Sequence, residues 1–218
     1  MTPRTLLLSL LVGLSLAIPA HAQGFKFSDE DATDKAEEAE KIAKINSLLS
    51  TPCRAKIKNQ KIMVLIGESR NGLINARQST YNSHINAINS RLKAMGLRTY
   101  TQEQIRQQVA QAEIDAYFKN DADAALNASK KLAANYILRG VIETQATRNL
   151  MVNVNQVNIN MAFTLTGANG KLISQTSASN ASYAGADTSG MALTLINESA
   201  DEVVATLYSD YCRRAGTQ

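Results

Sequence analysis

Few side chains in this sequence have the type and spacing that chemistry needs. Beyond residue 22 there is one histidine, His84, and two cysteines, Cys53 and Cys212. One imidazole and two distant thiols do not supply the four ligands of a zinc site, so no metal or other cofactor is expected. His84 stands between Tyr81 and Ile85 on a stretch of helical periodicity, where an imidazole reads as a surface or boundary residue. Ser69 follows Gly67-Glu68, but the Gly-x-Ser-x-Gly elbow of a hydrolase is missing and no base is at hand. Gly67 to Gly72 lacks the Gly-Lys-Ser/Thr ending of a phosphate loop. The carboxylate pairs Asp121/Asp123 and Glu113/Asp115 have the composition for acid–base work, yet at neighbouring helical positions they read as solvated caps. Asn127, Asn180 and Asn197 each open an Asn-x-Ser triplet, which a chain rich in Asn and Ser produces by coincidence. With no constellation assembled, the chain is expected not to be an enzyme.

The first residues read as an address. Arg4 gives a positive start, Leu6 to Ile18 an apolar core, and Pro19-Ala20-His21-Ala22 an Ala-x-Ala ending, so residues 1–22 are expected to be a signal peptide. The apolar core is shorter than the about 20 residues of a spanning helix. An uncleaved membrane-anchored signal is the alternative. Gln23 stands where a bacterial lipoprotein would carry cysteine, so a periplasmic chain without a lipid anchor is expected. In an oxidising compartment Cys53 and Cys212 are most simply a disulfide, with two free thiols as the alternative.

The elements that must position any site follow in order. Residues 23–52 form an acidic helical leader: Asp29, Glu30, Asp31, Asp34, Glu37, Glu38 and Glu40 follow Ser28, a helix N-cap, and Ile42, Ile45 and Leu49 make a stripe. It reads as a solvated helix or as an extension that docks on a basic partner. Pro52 ends it, and residues 53–218 follow as one domain. Lys61 to Gly67 is a strand covered on both faces, and Glu68 to Gly72 a loop. Tyr81, Ile85, Ile88, Leu92 and Met95 define one helix face, closed at Gly96. Leu97 to Tyr100 is a brief strand. Thr101-Gln102-Glu103-Gln104 has capping-box spacing and opens a helix with Ile105, Val109, Ala112 and Ala116 inward. Asp121 caps a further short helix.

Three strands come next. Asn135 to Thr144 is the first, and Arg148 to Leu150 a turn. In the second, Met151 to Leu165, apolar residues alternate at 152 and 154, then at 157, 159, 161, 163 and 165, with a bulge expected at Gln156. The opposite side then carries Asn153, Asn155, Asn158, Asn160 and Thr164. Gly167 and Gly170 shape a hairpin into a Ser- and Ala-rich strand, Lys171 to Tyr183, with the composition of a sheet edge or contact surface. After a flexible Gly185 to Gly190, Leu193, Ile196, Ala200, Val203 and Leu207 share one face of a last helix, capped by Asp187 or Ser189. The expected fold is α/β (α+β), a single domain. Its mixed, mostly antiparallel sheet runs strand-helix-strand-helix-strand-strand-strand-helix, with helices packed on it.

From Arg54 to Arg139 there are 14 Lys plus Arg against 6 Asp plus Glu, while the leader is acidic. That asymmetry suits docking to an acidic surface, or it is ordinary solubilising charge. Without basic runs interleaved with aromatics, nucleic acid is not an expected partner.

The element order is joined by three motifs: Ala134-Asn135-Tyr136-Ile137-Leu138-Arg139-Gly140, Leu165-Thr166-Gly167 and Gly170-Lys171-Leu172-Ile173. Together they resemble a group of periplasmic domains. The group contains the amino-terminal domain of TolB, the curli-secretion pore lipoprotein, the lipoprotein activator of penicillin-binding proteins and the middle domain of flagellar assembly protein T. The likeness spans about Lys61 to Cys212. The resemblance implies a non-enzymatic scaffold or adaptor of an envelope assembly, in secretion, a flagellar ring or cell-wall synthase regulation. Its partners would be other envelope proteins, a second copy of itself, or peptidoglycan. The lipidated cysteine and the pore hairpins of some members have no counterpart here. The surface expected to make contact comprises Asn153, Asn155, Asn158, Asn160, Ser177 and Ser179. The alternative is a small-ligand or glycan-binding module using the loops at Glu68 to Gly72 and Gly185 to Gly190.

Overall fold

A computed structural model describes residues 27–78, 82–151 and 153–215. The expected signal peptide, Gln23, Tyr81 and Val152 lie outside the described residues. The chain divides into two compact units, Met1–Glu37 and Glu38–Gln218. The described part of the first is the opening of helix α1 (Phe27–Leu49). The second holds the rest of α1 and everything that follows, and it is the unit described below.

Its frame is a six-stranded mixed sheet. Strand β1 (Lys61–Arg70) pairs in parallel with β4 (Tyr136–Asn149), from Ile62 opposite Tyr136 to Ser69 opposite Glu143. An antiparallel meander continues through β5 (Val154–Gly167) and β6 (Leu172–Ala184). On the other side of β1 are two short strands: β3 (Arg98–Thr99), parallel at its start, and β2 (Leu73–Asn75), antiparallel at its end.

Alternation along the strands sends apolar side chains to both faces where both are covered. On one face Val64, Leu138, Met161 and Phe163 pack beneath α3 (Asn82–Ala94) and α7 (Thr188–Ala215). On the other, Met63, Leu65 and Ile137 pack beneath α4 (Gln102–Gln108), α5 (Gln111–Phe118) and α6 (Ala122–Leu132). The short helix α2 (Arg54–Ile57) carries Ile57 into the first core.

Gly140 shows why one motif position has no side chain. A Cβ there would lie 2.5 Å from both Ile66 Cδ1 and Phe163 Cε1. The ring of Phe163, directly opposite in register, occupies that space instead. The neighbouring Arg139 points to the other face. Its guanidinium stacks over the Phe118 ring at 5.2 Å and donates to the Phe118 carbonyl at 3.0 Å, closing the C-terminal end of α5 with a cation.

Several elements differ from their sequence expectation. Glu68 to Arg70 continues β1, and Asn71 and Gly72, with φ of 52° and 78°, make the two-residue turn into β2. Asn-Gly is the composition such a primed turn demands, since both central residues need positive φ. The expected single helix from Thr101 is two. Thr101 closes its capping box with Gln104, but the chain leaves the helix at Val109 and Ala110. Ile114, Tyr117 and Phe118 then turn inward, while Ala112 is exposed and Ala116 half-buried. Strand β4 runs on through Arg148 and Asn149, which are not a turn. No bulge interrupts β5 at Gln156; its pairing with β4 is continuous from Val154, and the one register shift lies at Leu165/Thr166 against β6. Asp121 accepts from the amides of Asp123 and Ala124, and Asp187 caps α7 through Gly190 N.

The free side of β1 between β3 and β2 is closed by a side chain. Gln78, 1% exposed, accepts from Ile66 N at 3.1 Å and donates to Ile66 O at 2.9 Å and Ala76 O at 2.6 Å. The amide does the work of a neighbouring strand. At the far end Cys53 and Cys212 are disulfide-bonded with Cα atoms 5.4 Å apart, beside the Tyr136–Tyr211 hydroxyl pair at 2.9 Å.

Two stability measurements follow. Gln78→Leu leaves both Ile66 backbone groups buried without partners and is expected to cost about 2–4 kcal/mol in denaturant unfolding. Reducing the disulfide opens a loop of 159 residues' separation and is expected to cost about 3–5 kcal/mol, read as a lowered melting temperature in reductant.

Candidate functional site

Helices α4 to α6 cover β1 and the first half of β4, and the same face of β5 and β6 stays open. Its side chains follow from register. Asn158, Asn160, Ala162 and Thr164 of β5 stand opposite Ala181, Ser179, Ser177 and Gln175 of β6. None of these carries a charge. A shallow groove of about 420 Å³ runs across the face, with Asn160 and Ala162 on one side, Ser177 and Ser179 on the other, and Ser69 and Glu143 at its end.

Four of the six residues expected on a contact surface are therefore brought together: Asn158, Asn160, Ser177 and Ser179. Asn153 and Asn155 are not among them, which corrects the expectation of a common face. Asn153 sits in the β4–β5 turn at φ 52°, where its Oδ1 accepts from Arg148 Nε at 3.0 Å and Nη2 at 2.6 Å. Asn155 belongs to the opposite face, and its Nδ2 donates to Gly185 O at 2.7 Å. Without a bulge at Gln156 the alternation runs unbroken, so Val154 moves to the open side and Asn155 away from it.

β6 is also the outer strand. Its thirteen residues contain no charged residue and no proline, the usual guards of a sheet edge. In the β4–β5 hairpin the β4 strand is exposed from Gln145 to Arg148. The hairpin tip presents Leu150 and Met151, 86% and 96% exposed. In the sequence Leu150 reads as an ordinary turn residue. The signal that could have found the tip is two adjacent large apolar residues where turns are polar.

A second concavity, about 680 Å³, lies where β1 and β4 end, between the starts of α3 and α7. It brings together Glu68, Arg70, His84, Glu143 and Thr188, including parts of both loops named for a ligand module. Glu68 accepts from Arg70 Nε at 2.9 Å, and Glu143 accepts from Gln145 Nε2 at 3.0 Å. Burial holds the His84 pKa below its ordinary 6.5, against the opposing pull of Glu68. Among the described residues no group of three or more His, Cys, Asp or Glu has the arrangement to hold a metal ion. No described helix is long and apolar enough to cross a membrane.

The His84 environment gives a signed pH dependence. The folded chain resists protonating it, so below pH 6.5 the unfolded chain binds more protons and stability falls as pH drops. This contribution is expected to be no steeper than about 1.4 kcal/mol per pH unit, and His84→Asn should remove it from a melting-temperature profile between pH 7 and pH 5.

No family model and no curated protein matches the chain. Among solved structures it is similar to the PelC dodecamer from Paraburkholderia phytofirmans at 16% identity, covering 69% of this chain and 88% of that one with TM-score 0.41. It is similar to lipoprotein GNA1162 from Neisseria meningitidis at 14% identity, covering 66% and 98% with TM-score 0.42. The LpoB C-terminal domain from Salmonella enterica is similar at 15% identity, covering 60% and 93% with TM-score 0.37. Each of these is a distant likeness of fold.

Proposed function

We propose that this chain is a non-enzymatic adaptor of the bacterial cell envelope, exported by residues 1–22 and working through surface contact. The observation that carries the reading is the open side of β5 and β6, where Asn158, Asn160, Ser177 and Ser179 share an uncharged face ending in an unguarded strand edge. A sheet face left to water is normally charged as well as polar. Small amides and hydroxyls without charge are cheap to dehydrate when a partner supplies hydrogen bonds. The edge adds backbone donors and acceptors to the same surface, the means by which an extended segment joins a sheet. Other envelope proteins are the partners this surface suits, in secretion, a flagellar ring or the regulation of cell-wall synthesis.

A second reading has its own observation. The cleft at the ends of β1 and β4 gathers two carboxylates, an arginine, an imidazole and hydroxyls, a lining that suits a sugar or muropeptide. In that case muropeptides would raise the melting temperature, because a ligand of the folded state stabilises it.

The deciding experiment places a photo-crosslinking residue at Asn160, or at Gln107 on the exposed side of α4, in cells producing the full chain. Asn160 is expected to capture one or a few envelope proteins other than the chain itself, and Gln107 none. Asn160→Arg is expected to abolish co-purification of those proteins while changing stability by less than about 0.5 kcal/mol. Recovery of the bare chain from both positions would sink the adaptor reading.

A further inference from the structure

The two sides of the sheet are finished differently. Beside β1 the edge is made of strands of three and two residues, with Gln78 closing the gap between them. β6 has no such closure along most of its length. In an antiparallel ladder alternate residues direct both backbone groups away from the inner neighbour. On β6 the odd-numbered residues do so: Ala181 N is bonded only by the adjacent Asn180 side chain, at 2.8 Å, and Tyr183 O by Ser182 Oγ. Arg214 Nη1 donates to Leu172 O at the strand's start. From Gln175 to Ser179 the outward groups of the odd residues face the edge.

We propose that this edge pairs with the same edge of a second copy, antiparallel about a two-fold axis at Ala178. The order of residues along β6 is what points to this occupant. Reversed about Ala178, serine meets serine twice, Ser177 with Ser179 and Ser174 with Ser182, and Gln175 meets the small Ala181. A strand charged along its length would place like charges opposite each other in a two-fold pairing, and β6 has none. Four outward residues on each strand, Gln175, Ser177, Ser179 and Ala181, supply about eight backbone hydrogen bonds. The open faces of both copies become one continuous surface, so the pairing rests on and extends the contact surface proposed above.

Sedimentation of the full mature chain across concentrations tests the pairing. A monomer–dimer equilibrium is expected at micromolar to hundreds-of-micromolar concentration. Ser179→Pro removes an outward N–H that β5 does not use, and should weaken dimerisation at least tenfold with an unchanged circular-dichroism spectrum. Ser177→Lys puts charge at the axis and should do the same, keeping the test intact should the proline variant fold poorly. Asn180→Ala frees Ala181 N from its local cap and should tighten the dimer. A chain that stays monomeric throughout, or a dimer untouched by Ser177→Lys, overturns the proposal. Such a result leaves the crosslinks from Asn160 to other proteins as a separate measure of the adaptor reading.

Discussion

The parallel pairing of β1 with β4 is the constraint from which the rest of the structure follows. Eight residue pairs, Ile62–Tyr136 to Ser69–Glu143, join the first half of the domain to the meander. Parallel neighbours cannot be linked by a tight turn; the chain must leave one end of the sheet and return to the other. That crossover carries α3 on one face and α4, α5 and α6 on the other, so β1 and the start of β4 are buried on both sides. Their sequences are accordingly near-continuous runs, Ile62 to Ile66 and Ile137 to Leu138, without alternation. Gly140 belongs to the same constraint, because Ile66 and Phe163 close over it from the strands on either side.

The crossover also decides what stays open. Its three helices reach across β1 and half of β4, and α7, the last element, goes to the opposite face. Nothing among the described residues is left to cover the far side of β5 and β6, so that side keeps the alternation of a half-buried sheet. The candidate surface is thus a remainder of topology, given its character by a choice of Asn, Ser and Thr where Lys and Glu would serve solubility equally well. The starts of α3 and α7, lying beside the last residues of β1, produce the second concavity by the same geometry.

How much of this the sequence disclosed depends on whether the physics was local. Strong alternation from Val157 to Leu165, the Thr101 capping box and the Asp121 cap each rest on neighbours a few residues away, and the structure has them where the pattern put them. The extension of β1 was hidden because Glu68, Ser69 and Arg70 are polar on a strand whose last residues leave the core. The end of β4 was hidden for a related reason: Gln145 to Arg148 are exposed on both faces, and a strand without a dry side has no period to read. The break at Val109 and Ala110 has no Pro or Gly to announce it. Asn155 reads as a wet-face residue only if a bulge at Gln156 shifts the alternation, and Asn153 only if the strand extends into what is the turn before Val154. Gln78 could not have been found at all, since a side chain acting as a strand depends on contacts that only the folded chain makes.

The closure beside β1 has a consequence for stoichiometry. A sheet with two receptive margins can be extended at either, and repeated addition leads to filaments. Here one margin is blunt: a pair of stub strands flanks a glutamine whose amide already holds both groups of Ile66. A strand that joined β6 would therefore find no equivalent place on the other side. Growth of the sheet in both directions is closed off at that margin, with the glutamine acting as the stop.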